Sequence, residues 1–99
     1  MGFKNVRMAY RISLHTRRQA KRIGVNVKPS KLKGKKIDVY KNGKKVASVG
    51  ATGYDDYGTL LGKGKRELAE KKRKAYKARH QRYRTKKGTN SYYADQLLW

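Results

Sequence analysis

Twenty-three consecutive residues, Lys65–Lys87, contain neither proline nor glycine. Most are good helix formers (Lys, Arg, Glu, Ala, Leu, Gln), so the run predicts one continuous helix. Leu68, Ala69, Ala75, Tyr76 and Tyr83 give that helix a thin apolar stripe. The rest of its surface is cationic: Lys63–Lys87 holds 13 Lys/Arg against 2 Glu. Like charges at i,i+4, such as Arg73 and Lys77, repel, and the favourable pairs Glu67–Lys71 and Glu70–Lys74 support only the first half. Such a helix requires a packed partner along the Tyr76/Tyr83 side and an anion on the other.

The remaining residues limit what that partner can be. A chain of 99 residues makes one domain with tails, and its hydrophobic content of 36% allows only a small core. Its formal net charge of +22 exceeds what solubility requires and favours an anionic partner. The charge is uneven: Met1–Lys36 carries 12 Lys/Arg and no acid, whereas Ile37–Gly62 carries 3 Lys and 3 Asp. Two cationic segments therefore flank a neutral centre. With no cysteine there is no disulfide, thiolate metal site or Cys nucleophile, which is compatible with a reducing compartment. No run approaches the roughly 20 apolar residues of a membrane span. The N-terminus lacks a continuous apolar segment of the secretory type, and Val6 stands where a myristoylation signal wants Ser or Thr.

Val6, Met8, Tyr10, Ile12 and Leu14 alternate with Arg7, Ala9, Arg11, Ser13 and His15, a period-two pattern that reads as extended. Its continuation LHTRRQAKRIG also fits a short helix capped at Thr16 and stopped by Gly24. Val25 and Val27 suit a short strand before Pro29-Ser30, and KPSKLKGKK reads as a basic linker. In KKIDVYKNGKKVASVG, Asn42-Gly43 suits a two-residue type I′ hairpin turn. That register sets Val39 opposite Val46 and Tyr40 opposite Lys45, with Ile37, Val39 and Val46 on the core face. ATGYDDYGTLLG then reads as a loop leading through Leu60-Leu61 into the long helix. Gly88–Ser91 ends that helix, and SYYADQLLW makes a last helical turn or two capped by Ser91.

The candidate polyanion contacts are Arg66, Lys71, Lys72, Arg73, Lys74, Lys77, Arg79, Arg82 and Arg84 on the helix, with Arg17, Arg18, Lys21 and Arg22 on the arm. Arginines can bind phosphate or carboxylate with two parallel hydrogen bonds, whereas lysine acts as a point charge. KKRK at Lys71–Lys74 also fits a nuclear-localisation pattern. The eight tyrosines are partly interleaved with cations, which permits base stacking, but Tyr76 and Tyr83 lie on the stripe and read as packing residues. Asp55-Asp56 lacks a nearby third carboxylate and reads as a turn or an ion pair. His80 reads as a partly buried polar residue. The glycines match no nucleotide-binding fingerprint, although Gly-Lys-Gly-Lys before a helix can hold one phosphate. Nothing suggests a cofactor, a metal or a convergent catalytic set, so an enzyme is not expected.

Three segments in fixed order, VGATGYDDY at Val49–Tyr57, RKAYKARH at Arg73–His80 and SYYADQLLW at Ser91–Trp99, resemble a family of small basic proteins of large double-stranded DNA viruses of algae and protists. The resemblance covers about Pro29–Trp99. It implies a viral context and, by extension, a structural part of the particle, without a defined activity. The expectations are then an α+β fold, with a small β-hairpin or sheet packed on one long basic helix. An extended basic arm over residues 1–28 precedes a small domain over 29–99. The expected function is that of a non-catalytic virion protein, a minor capsid or inner-shell component that bridges larger proteins and contacts the genome. The alternative is a general nucleic-acid binder, condensing viral DNA or binding RNA in the ribosomal manner. Expected partners are capsid or other virion proteins, with DNA or RNA held by the backbone. The expected places are the virion and, during assembly, the host nucleus or cytoplasm. Leu98 and Trp99 are expected either to close the fold or to anchor it in a partner.

Overall fold

The computed structural model describes residues 10–99, and the alternating pattern over residues 6–9 lies outside them. Over the described residues the fold is α+β: a three-stranded antiparallel sheet in the order β1-β2-β3, with four helices. The elements are α1 (Leu14–Ile23), β1 (Asn26–Pro29), β2 (Lys35–Lys41), β3 (Lys44–Ala51), α2 (Tyr57–Gly62), α3 (Arg66–Arg79) and α4 (Asn90–Leu98).

Of the segment expected to be extended, residues 10–13 form no regular element, Ser13 has extended backbone angles, and Leu14–Ile23 forms α1. Ser13, not Thr16, is the cap, its hydroxyl accepting the Thr16 amide at 3.2 Å. Gly24, at φ 77°, closes the helix, while Lys21 and Arg22 complement the negative end of its dipole. The boundary expected at Lys28 falls inside β1, and Ile12, Ala20 and Val25 are buried in the same core as the sheet.

The hairpin turn is as expected: Asn42 and Gly43 both have positive φ, at 53° and 80°, and Tyr40 pairs with Lys45. The register beyond it differs. Val39 pairs with Ala47, not Val46, because β3 carries one extra residue at this point. A bulge of this kind reverses the alternation that follows it. Val46 is therefore 40% exposed, and Ala47 and Val49 join Ile37 and Val39 in the core. β1 lies at a sheet edge, where Pro29 leaves no essential ladder donor missing.

The helices that pack on this sheet are α4, against β3, and α1, against β1, not the long basic one. α4 buries Tyr93, Leu97 and Leu98, whereas α3 buries only Ala69. α3 instead packs on α2, a helix in what reads as a loop. Asp56 caps α2 by accepting the Thr59 amide at 2.9 Å, and Tyr57, Leu60 and Ala69 form a second small core. Trp99 touches both cores.

α3 also stops at Arg79 and does not run on to Lys87. Of the stripe, Leu68, Ala75 and Tyr83 remain exposed, so a straight continuation has no apolar contact to offset its crowded positive charge. The chain turns through residues 80–88 instead, which brings Arg84 back to within 3.7 Å of Asp95. α4 is capped by Thr89, two residues earlier than Ser91, its hydroxyl accepting the Tyr92 amide.

Candidate functional site

The acidic residues determine which cations remain available. Asp95, wholly buried on α4, receives the Lys77 ammonium at 2.8 Å and lies 3.7 Å from Arg84. Asp56 receives Lys36 at 3.0 Å and the Tyr10 hydroxyl at 2.5 Å. Asp55 pairs with Lys63 at 3.2 Å. Asp38, on β2, accepts from Ser30 and Ser48, each at 2.6 Å. Glu70 accepts the Tyr57 hydroxyl at 2.6 Å, and the Arg73 guanidinium lies 4.7 Å from the centre of that tyrosine ring. Asp55-Asp56 is thus a helix cap and two ion pairs, with the partners coming from β2 and α2's end, not from α3.

This assignment divides the expected polyanion contacts. Lys77, Arg84 and Arg73 are half-buried and engaged within the chain. Arg66, Lys71, Lys72, Lys74 and Arg79 stand exposed on α3, and Arg82 stands exposed beyond it beside the Tyr83 ring. Arg17, Arg18 and Lys21 are exposed on α1. Arg22 is also exposed and donates to the Gln96 side chain. The two groups are linked through α2, on which both α1 and α3 pack, and α1 packs on α4 and β1 as well.

The expected anchor pair belongs to the fold. Leu98 is 2% exposed, and Trp99 stacks on Tyr76 with ring centres 4.9 Å apart. Tyr76 stacks on His80 as well, at 4.2 Å, which explains the half-buried state of that histidine. The end of α4 is fixed from α1: Thr16 donates to the Leu97 carbonyl at 2.7 Å, and Gln19 to the Gln96 carbonyl at 2.8 Å. These carbonyls lack partners within their own helix, so α1 supplies their missing hydrogen bonds.

Two of the larger clefts lie beside exposed cations. One, of about 720 Å³, runs between α3 and the end of the β2–β3 hairpin. Lys35, Lys71, Lys72 and Arg79 stand along it, and Leu68, Ala75, Tyr76, Leu98 and Trp99 give it an apolar lining. Tyr54 also lines it and is 75% exposed. Lys35, Lys36 and Tyr54 were not legible as site residues, since they come from the neutral centre and an adjoining strand, and only the fold brings them to α3. The second cleft, of about 760 Å³, includes Arg11, Arg18, Lys63 and His15. His15 Nε2 is buried without a hydrogen-bond partner, and its ring sits edge-on to Tyr57 at 4.9 Å. Burial, reinforced by Arg73 and Lys77 against the opposing pull of Asp56, holds its pKa below the usual histidine value.

Among the described residues no group of three or more His, Cys, Asp or Glu is placed to hold a metal ion, and no helix is long and apolar enough to cross a membrane. Comparison with protein-family models, curated proteins and solved structures gave no match.

Proposed function

We propose that this protein is a non-catalytic nucleic-acid binder that holds phosphate backbones through the exposed cations of α1 and α3. The observation that carries this reading is the disposition of its six carboxylates. Five of them, Asp38, Asp55, Asp56, Asp95 and Glu70, are engaged within the chain, and the sixth, Glu67, is exposed in the first turn of α3. The exposed Arg66, Lys71, Lys72, Lys74 and Arg79 have no described ion-pair partner among the residues 10–99. A surface so unbalanced attracts a polyanion and gives binding that depends on released counterions.

Backbone contact of this kind positions nucleic acid without reading its sequence. Replacing Arg66, Lys71, Lys72, Lys74 and Arg79 with Gln should weaken binding to a 20-base-pair duplex by at least about tenfold at moderate salt. Undiminished binding by a folded variant would contradict the role of α3.

The order of the VGATGYDDY, RKAYKARH and SYYADQLLW segments favours a virion as the setting. In that setting the protein is a minor capsid or inner-shell component between larger virion proteins and the genome, made in the host cell and brought to the particle during assembly. Its partner contacts do not use Leu98, which is committed to this chain's own core. Finding the protein in purified particles, and losing it from shells emptied of DNA, is the expected result. Absence from particles would remove the viral setting and leave backbone binding to stand separately.

A further inference from the structure

The cleft between α3 and the β2–β3 end has a cationic rim and an aromatic mouth, a combination that backbone binding alone does not require. Lys71, Lys72 and Arg79 stand on its helical side, and Lys35 on its strand side. Its volume of about 720 Å³ lies within the range usual for small-molecule sites. Tyr54 is 75% exposed at this cleft, the most exposed of the large apolar side chains among the described residues. Its backbone is tied in place, because the buried Lys36 ammonium donates to the Tyr54 carbonyl while also pairing with Asp56. An aromatic ring held at a groove and left to solvent has given up apolar burial, and a stacking partner would restore it. Asp55, the carboxylate at this cleft, is occupied by Lys63.

We propose that this cleft receives one unpaired base of a single-stranded nucleic acid, stacked on Tyr54, with the flanking phosphates on Lys71, Lys72 and Arg79. This rests on the nucleic-acid reading above and narrows it from any phosphate backbone to strands with accessible bases. Duplexes keep their bases stacked inside and can use only the outer cations. Stacking of one base on an aromatic side chain tolerates any base, so the site confers a strand preference without a sequence preference.

The test compares a 12-nucleotide single strand with a duplex of equal length by fluorescence anisotropy at fixed salt, using the full chain. Tyr54→Ala should weaken single-strand binding by roughly five- to hundredfold and leave duplex binding unchanged. Tyr54→Phe should retain the wild-type preference. Equal effects of Tyr54→Ala on both strands, or no effect, would overturn the stacking proposal while leaving backbone binding intact. Loss of all salt-dependent binding in the wild type would instead overturn both. If poly-glutamate bound with the same dependence on Tyr54, the cleft would be an acidic-peptide site and the proposal would fail. Tyr54 lies outside both cores, so circular dichroism of Tyr54→Ala should match the wild type.

Discussion

Lys36 Nζ stands 3.0 Å from Asp56 Oδ2, and both side chains are almost wholly withdrawn from solvent, at 5% and 1% exposure. This pair joins β2 to the start of α2, and the Tyr10 hydroxyl joins the segment before α1 to the same carboxylate. Breaking such a pair from one side leaves a buried charge uncompensated. Lys36→Met should therefore destabilise the protein by about 3–5 kcal/mol in urea unfolding. A loss below about 1 kcal/mol would mean that Asp56 is satisfied by Tyr10 and the Thr59 amide alone.

At Gly58, α2 lies close against Ser13 and His15 at the start of α1. A Cβ added there would lie 2.1 Å from Ser13 Oγ and 2.8 Å from Ser13 Cβ, and Ser13 caps α1. Gly58→Ala should cost about 1–3 kcal/mol through overpacking. Gly62→Ala, where an added Cβ meets nothing within 4 Å, should be neutral or slightly stabilising. Equal thermal midpoints for the two variants would contradict the packing of α2 on the Ser13 cap.

The turn gives a sharper contrast. Asn42 and Gly43 both sit at positive φ. Asn42→Asp should be tolerated, because Asp also enters this region, whereas Gly43→Val places a β-branched side chain where it is strained. Gly43→Val should be clearly the less stable of the two by chemical denaturation; equivalence would argue against the type I′ geometry.

Acid should destabilise the fold in two stages. Burial pushes the His15 pKa below its ordinary 6.5, with Arg73 and Lys77 acting in the same sense. The unfolded chain then takes up that proton first, so stability falls as pH drops below about 6.5 and levels off beneath the folded value. Burial raises the Asp56 pKa, but the Tyr10 hydroxyl and the Lys36 ammonium outweigh it and hold the group below its ordinary 3.8. Asp38 is likewise lowered, its burial outweighed by the hydroxyls of Ser30 and Ser48. Their contribution is present above the ordinary value and is lost as pH falls through the folded one. His15→Gln should abolish the first stage and spare the second in a pH series of denaturant midpoints. A first stage that persists in this variant would assign it to another group.

The hairpin and the closing role of the tail were legible because each has a local cause. Asn42-Gly43 dictates its turn, and Leu97-Leu98 has too much apolar surface to leave in water. The bulge at Val46 was not legible, since Val is the better strand former and the more apolar of the two, so the pattern favours Val46 inward where tertiary packing places Ala47. Helix propensity overran the end of α3 because nothing local in KARHQRYR signals a stop; the stop follows from Asp95, distant in sequence, recruiting Lys77 and Arg84. The same long-range pairing removes Lys77 and Arg84, and the Tyr57 ring removes Arg73, from the cations that charge density alone assigns to a polyanion. The cleft was invisible for a related reason, as Tyr54 and Lys35 meet α3 only through the fold.

The central claim is that the exposed cations of α1 and α3 engage nucleic-acid phosphates. Its most direct test is the affinity of the full chain for a 20-base-pair duplex measured across 50–200 mM salt. If about six phosphates are neutralised, log affinity should fall with log salt at a slope of about −5, a loss of roughly a thousandfold over that range. An affinity that does not change with salt would contradict the claim.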